Sequence, residues 1–281
     1  EGGLLASGYE DTTVRLWDPG QKRDVATLKG HTSAVLSLAP LGERLLASGS
    51  ADKTVRLWDL RQRRKVAKLK GHTDYVYSLA PLEGGLLASG SRDKTVRFWD
   101  LRQRRKVATL EGHTDYVWSL ASLGGGLLAS GSGDRTVRLW DLGQRREVAT
   151  LEGHTRRVTS LALLDSGLLA SGSDDTTMRL WDLGQRRQVA KLEYTDSVYS
   201  LAPLEGGLLA SCSGDNTVRL WDIGQRVEIA TLKGHSQPFT RLAPLEGGLL
   251  ASGSGRTVRL WDLSSLLATR RGDESAASHT Q

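Results

Sequence analysis

The chain is poor in cysteine, methionine and phenylalanine, with one, one and two residues of each. The single thiol, Cys212, excludes an intrachain disulfide framework and a zinc site built on cysteines. It suits a reducing compartment, so an intracellular setting, cytoplasmic or nuclear, is expected. No apolar run approaches the roughly 18 residues a membrane-crossing helix needs, and no membrane span is expected. No basic segment followed by an apolar one opens the sequence, so no secretion signal is expected in it. Neither sign of charge dominates: 38 Lys and Arg stand against 32 Asp and Glu, a net charge of +6 that mildly favours an acidic partner. Apolar stripes of helical period are also missing.

With so little Phe and Met, the eight Trp are the main large aromatics, and their placement is regular. Trp-Asp pairs fall at Trp17-Asp18, Trp58-Asp59, Trp99-Asp100, Trp140-Asp141, Trp181-Asp182, Trp221-Asp222 and Trp261-Asp262, spaced by 41, 41, 41, 41, 40 and 40 residues. Gly-His pairs precede five of them: Gly30-His31, Gly71-His72, Gly112-His113, Gly153-His154 and Gly234-His235. Only Trp118 stands outside the pattern. Within one repeat, VAKL (66–69), YVYSLA (75–80), LLAS (86–89) and TVRFW (95–99) are short β-prone runs. Turn residues separate them, so each repeat reads as four strands. One such sheet cannot cover both its own faces. Stacking it against neighbours covers them and protects strand edges.

Repeats of about 40 residues with four strands, Gly-His and Trp-Asp resemble the WD-repeat β-propeller family. The resemblance implies an all-β, seven-bladed propeller of four-stranded antiparallel blades spanning residues 1–272, with 273–281 a tail or a closing strand. It also implies a hydrogen-bonded set in each blade. By position these sets are His31, Ser48, Asp52 and Trp58; His72, Ser89, Asp93 and Trp99; His113, Ser130, Asp134 and Trp140; and His154, Ser171, Asp175 and Trp181. Ser, His and Asp together could serve a hydrolase, but a nucleophile occurs once rather than in every repeat. The sets are therefore read as structural, and no catalytic residue, metal or cofactor is expected.

Two repeats depart from the pattern. Repeat 6 reads Leu192-Glu193-Tyr194-Thr195 where its siblings read L-E-G-H-T, so it lacks the histidine, and Asp215 and Trp221 are expected to be without that partner. Repeat 7 lacks the turn Asp, leaving His235 without its carboxylate. Blades 6, 7 and 1 are thus expected to be the weaker arc. The first residues match the middle of a repeat, so blade 1 is expected to hold three strands and blades 2–7 four each. The sequence reads as a fragment of a longer polypeptide, monomeric unless another chain completes blade 1.

Function should lie where repeats differ. The resemblance implies partner binding on the face carrying the loops that lead into the first strand and the turns between the second and third. There the variable positions hold Tyr75, Tyr77 and Arg92, then Tyr116 and Trp118, then Arg157 and Tyr199. Tyr, Trp and Arg are the types enriched at binding hot spots. The alternative for Tyr77, Trp118 and Tyr199 is packing beneath that face. A second feature is the basic loop between third and fourth strands, RQRRK (61–65 and 102–106), GQRRE (143–147), GQRRQ (184–188) and GQRVE (224–228). It reads as a solvated rim or as a contact for an anionic surface. The leading expectation is a non-enzymatic interaction scaffold for a protein or peptide, acidic or phosphorylated. The alternatives are an anionic-surface binder, for nucleic acid or acidic lipid, working through the basic loops, and a purely structural repeat domain of a longer protein. Nucleic acid is the less expected partner, and sequence-specific RNA binding has little support because the basic loops carry no aromatics for base stacking.

Overall fold

A computed structural model describes residues 4–21, 23–236, 239–254 and 257–267. Among them the fold is all-β and consists of seven successive antiparallel blades, as a seven-bladed propeller requires. Two compact units divide the chain, residues 1–158 and 159–281. Strands are lettered a to d in blade order. Blade 1 holds three (Leu5–Gly8, Val14–Asp18 and Arg23–Leu28), corresponding to b, c and d. Blades 2 to 6 hold four each; in blade 3 these are Val76–Leu82, Leu86–Ser91, Val96–Asp100 and Arg105–Leu110.

Side-chain alternation explains how each sheet is covered. In the c strand Thr54–Asp59, Val55 and Leu57 point to one face and Trp58 to the other. Trp58 packs with Val14, Leu16 and Leu28 of blade 1, while Val55 and Leu57 pack with Trp99 of blade 3. The pattern repeats between blades 3 and 4 around Trp140, and in the second unit between blades 5 and 6 around Trp221. The core is thus a series of clusters between neighbouring sheets. Their approach is close at the b strand. A Cβ on Gly49 would sit 2.7 Å from Val76 Cγ1, and one on Gly90 2.7 Å from Val117 Cγ1. In blade 6 this position is Cys212, fully buried, and burial pushes its thiol up to about 12. A buried, neutral thiol of this kind is inert.

Blade 7 corrects one expectation. It holds three strands among the described residues: Phe239–Leu245, Leu249–Ser254 and Thr257–Asp262. Where a d strand was expected to begin, residues 264–267 make one helical turn. Asp262 Oδ1 accepts from Ser264 N at 2.9 Å, Leu267 N donates to Leu263 O at 3.0 Å, and Leu263 and Leu267 are buried. The i, i+4 leucines find cover by coiling, and the Gln-Arg loop that leads into d elsewhere is absent. Val258 and Leu260 are 43% and 40% exposed, against 0% and 2% for Val55 and Leu57. The possible closing strand at 273–281 lies outside the described residues.

Candidate functional site

In blades 2 to 4 one set of polar side chains recurs. His31 Nδ1 lies 2.8 Å from Asp52 Oδ2, His31 Nε2 lies 2.7 Å from Ser48 Oγ, and Trp58 Nε1 donates to the same Oγ at 2.8 Å. His72, Ser89, Asp93 and Trp99 repeat this at 2.7, 2.7 and 2.8 Å. His113, Ser130, Asp134 and Trp140 do so at 2.7, 2.6 and 2.7 Å. In the second unit Trp181 donates to Ser171 at 2.8 Å, and Asp175 Oδ1 accepts from Thr177 N at 3.0 Å. In blades 2 to 4 each hydroxyl receives the indole N–H and donates to the imidazole, whose other N–H donates to the carboxylate, so a neutral imidazole satisfies every group.

Electrostatics agree with that assignment. Burial holds His31 and His72 below the ordinary histidine value. Burial alone would raise Asp52, but bonds from Thr54, His31 and the Thr32 amide hold it down at about 2. Asp93 and Asp134 are lowered further by the same kind of contact. In blades 2 to 4 the serine hydroxyls are fully buried and already shared between Trp and His. The c-strand arginines close the sets from outside: Arg56 reaches Asp52 at 3.7 Å and Arg97 reaches Asp93 at 3.6 Å. A Cβ on Gly30 would meet Arg56 Nη1 at 2.7 Å and Trp58 at 3.2 Å, which explains the glycine before each His.

Blade 6 lacks the histidine, and other side chains take up its bonds. Tyr194 occupies the histidine position, 17 residues before Ser211 as His31 is before Ser48. It is buried, and its hydroxyl donates to Ser211 Oγ at 2.7 Å beside the Trp221 N–H at 2.9 Å. Burial pushes the phenol well up, keeping it a donor. Asp215 takes Thr195 Oγ1 and Arg219 Nη2, each at 2.7 Å. The longer phenol spans the place of the imidazole, and the arginine replaces it at the carboxylate. In blade 7, Trp261 donates to Ser252 at 2.7 Å, His235 Nε2 lies 3.0 Å from the same hydroxyl, and Thr257 Oγ1 stands 3.3 Å from His235 Nδ1 in place of a carboxylate.

Six of the seven residues singled out for binding gather in the first unit. Tyr77 and Trp118 stack face to face, with centroids 4.2 Å apart and planes at 15°. Tyr75 meets Tyr77 edge-on at 6.3 Å, and Tyr116 meets Trp118 at 6.3 Å. The Arg92 guanidinium carbon lies 5.2 Å from the Tyr75 ring centre and 4.9 Å from that of Tyr116. The Arg157 guanidinium carbon lies 4.6 Å over Trp118. Cation–π contacts of this length hold both the rings and the charges in place. Tyr199 belongs to the second unit, where it packs against the core cluster around Cys212.

The backbone explains the gathering. The pairing of strand Val76–Leu82 with Leu86–Ser91 skips a residue between Val76 and Ser78, so Tyr77 is the bulged residue. The same skip falls at Trp118 and at Tyr199. A bulge re-aims its side chain, which turns these rings out of the strict alternation. Arg92 N donates to Tyr75 O at 2.8 Å, tying the b–c turn to the loop before strand a. Asp74, which sequence reasoning missed, stands 3.7 Å from Arg92 Nε and caps the Tyr75 amide. Tyr75, Tyr77, Arg92, Tyr116, Trp118 and Arg157 are all half-buried.

The basic loops share one design. Asp59 Oδ1 accepts from Gln62 N at 2.8 Å, and Gln62 Oε1 accepts from Arg64 Nε at 2.6 Å. Gln103 with Arg105 and Gln144 with Arg146 repeat it. Among the described residues no group of His, Cys, Asp and Glu is placed to hold a metal ion.

The repeat model described as WD domain, G-beta repeat matches residues 1–18, 22–59, 63–100, 104–141, 145–182, 186–222 and 226–262. No curated protein matches the chain. Seven matched repeats, seven blades and the recurring Trp–Ser–His–Asp bonds give one conclusion: the chain belongs to the WD40 repeat family, whose propellers generally act as protein-interaction scaffolds.

Proposed function

We propose that the chain binds a peptide or a loop of another protein through the surface made by Tyr75, Tyr77, Arg92, Tyr116, Trp118 and Arg157, and that it does so without catalysis. The observation that carries this reading is the connected aromatic and arginine assembly. Preassembled rings lose little conformational entropy on binding, which favours affinity. The Arg92 side chain is 37% exposed between its two tyrosines and faces one carboxylate, Asp74, at 3.7 Å. An acidic or phosphorylated side chain in the partner can compete for that guanidinium through charge-assisted hydrogen bonds.

The test is a peptide array carrying acidic, phosphorylated and neutral versions of each sequence, with hits measured by calorimetry. Hits should be enriched in acidic or phosphorylated members and should weaken about tenfold or more with Arg92→Ala, in line with a hot spot of about 2 kcal/mol. Hits whose affinity ignores Arg92, Tyr75 and Tyr116 alike would remove this surface from consideration.

A further inference from the structure

The small net charge of the whole chain hides a concentration of positive charge. The same 27-residue stretch, from the residue before L-L-A-S to the end of the d strand, can be compared in six repeats. In residues 44–70 it holds nine basic and two acidic residues, and in residues 85–111 seven and three. In residues 3–29, 126–152, 167–193 and 207–233 the two signs are equal in number. The excess therefore sits on blades 2 and 3.

The structure gives the reason. The d-strand residue paired with each blade's Trp is Asp24, Glu147 or Glu228 in blades 1, 4 and 6, and Gln188 in blade 5. The acids reach the neighbouring c-strand arginine: Glu147 lies 2.5 Å from Arg138, Glu228 3.5 Å from Arg219 and Asp24 3.9 Å from Arg15. In blades 2 and 3 the same position holds Lys65 and Lys106. Arg61, Arg63, Arg64, Lys65, Lys68 and Lys70 are all exposed on blade 2, as are Arg102, Arg104, Arg105 and Lys106 on blade 3. Arg104 Nη1 reaches Val66 O of blade 2 at 3.4 Å, so the two clusters adjoin. Gln62 and Gln103 anchor Arg64 and Arg105 through Nε, which orients two guanidinium groups in advance.

We infer that the outer c–d edge of blades 2 and 3 is a docking surface for the phosphate backbone of a nucleic-acid duplex, read without regard to base sequence. Anchored arginines match phosphate with paired hydrogen bonds. The patch offers no ring for a base to stack on, which disfavours single strands. The large apolar residues exposed among the described residues are Leu4, Val227, Val258 and Leu260, none of them in the patch, so nothing there inserts into a bilayer or forms the apolar centre of a protein interface. This surface is separate from the aromatic assembly, and the absence of stacking residues that argues against sequence-specific reading is what contact with the backbone alone requires.

The test uses the full chain and a fluorescent duplex of about 20 base pairs, with anisotropy followed between about 50 and 200 mM salt. The informative variant is Arg61→Gly, Lys65→Glu, Lys68→Thr and Lys70→Glu, each replacement being the residue blade 4 carries at that position (Gly143, Glu147, Thr150 and Glu152). Circular dichroism should show it folded. Duplexes of unrelated sequence should bind equally, with a steep loss on adding salt. The variant should bind at least tenfold more weakly, with a slope shallower by roughly 0.9 for each phosphate it no longer neutralises. Tyr75→Ala with Tyr116→Ala should leave duplex binding unchanged, which separates this surface from the proposed peptide site. No binding of the duplex at low salt, undiminished binding by the blade 2 variant, preference for single strands, or tighter binding to phosphatidylserine vesicles than to duplex would each overturn the inference.

Discussion

Tyr77 and Trp118, bulged residues on the a strands of adjacent blades, stack at 4.2 Å with their planes 15° apart. The pair joins two sheets at the point where the binding surface is proposed, so it should contribute to stability whether or not a partner binds. A double-mutant cycle with Tyr77→Leu and Trp118→Leu should give a coupling of about 0.5–1.5 kcal/mol by urea denaturation. Additive losses would mean that the rings lie together without supporting one another.

Blade 6 is expected to be as cooperative as its neighbours, because Tyr194 at Ser211 and Arg219 at Asp215 together restore what the missing histidine would have supplied. Tyr194→Phe removes only the bond to Ser211 and should cost about 0.5–1.5 kcal/mol. Tyr194→Ala also opens a cavity and should cost about 3–5 kcal/mol. A Phe variant as stable as the parent would show that the hydroxyl contributes nothing.

Stability should fall with acid in two stages. His31 and His72 are held below the ordinary 6.5 by burial, so the unfolded chain takes up protons first. Their contribution is present above that pH and is lost as the pH falls through it toward the lower folded value. Asp52, held at about 2 against an ordinary 3.8, contributes above about pH 4 and loses its contribution as the pH falls toward 2; Asp93 and Asp134 act in the same direction. For Asp52 alone this is about 2 kcal/mol. Denaturant midpoints measured from pH 8 down to pH 3 should decline first below about 6.5 and again below about 4. A flat profile between pH 8 and 5 would contradict the neutral-histidine assignment.

Blade 7 should be the place where exchange is fastest. Its c strand, Thr257–Asp262, has exposed Val258 and Leu260, whereas Thr54–Asp59 is buried along its length. Hydrogen exchange followed by mass spectrometry should find residues 257–262 less protected than 54–59. Equal protection would mean that the edge of blade 7 is covered.

Much of this was legible in the sequence because the repeat is local. The Trp-Asp spacing marks each blade, and His, Ser, Asp and Trp recur at fixed separations, so their bonds could be paired off by position. Departures from the repeat were harder to read. Tyr194 looks like the loss of a histidine in one dimension, and only the packed sheet shows a phenol filling the same gap. The bulges at Tyr77 and Trp118 depend on register across strands, which residue order does not carry. Leu263 and Leu267 wear no helix signal in a four-residue segment, yet a buried side of the blade is nearby to receive them. The concentration of charge was visible in composition by repeat, but Lys65 and Lys106 acquire meaning only in the place opposite Trp58 and Trp99 where blades 1, 4 and 6 carry an acid.

The central claim is that the aromatic and arginine surface of the first unit holds a partner protein. Its most direct test is affinity capture from the source lysate by the wild-type chain and by a variant carrying Tyr75→Ala, Tyr116→Ala and Trp118→Leu. Ala34 and Leu36 occupy these positions in blade 2, so the variant should fold. A partner retained by the wild type and lost by the folded variant is the expected result; the same partner held equally by both would contradict the claim.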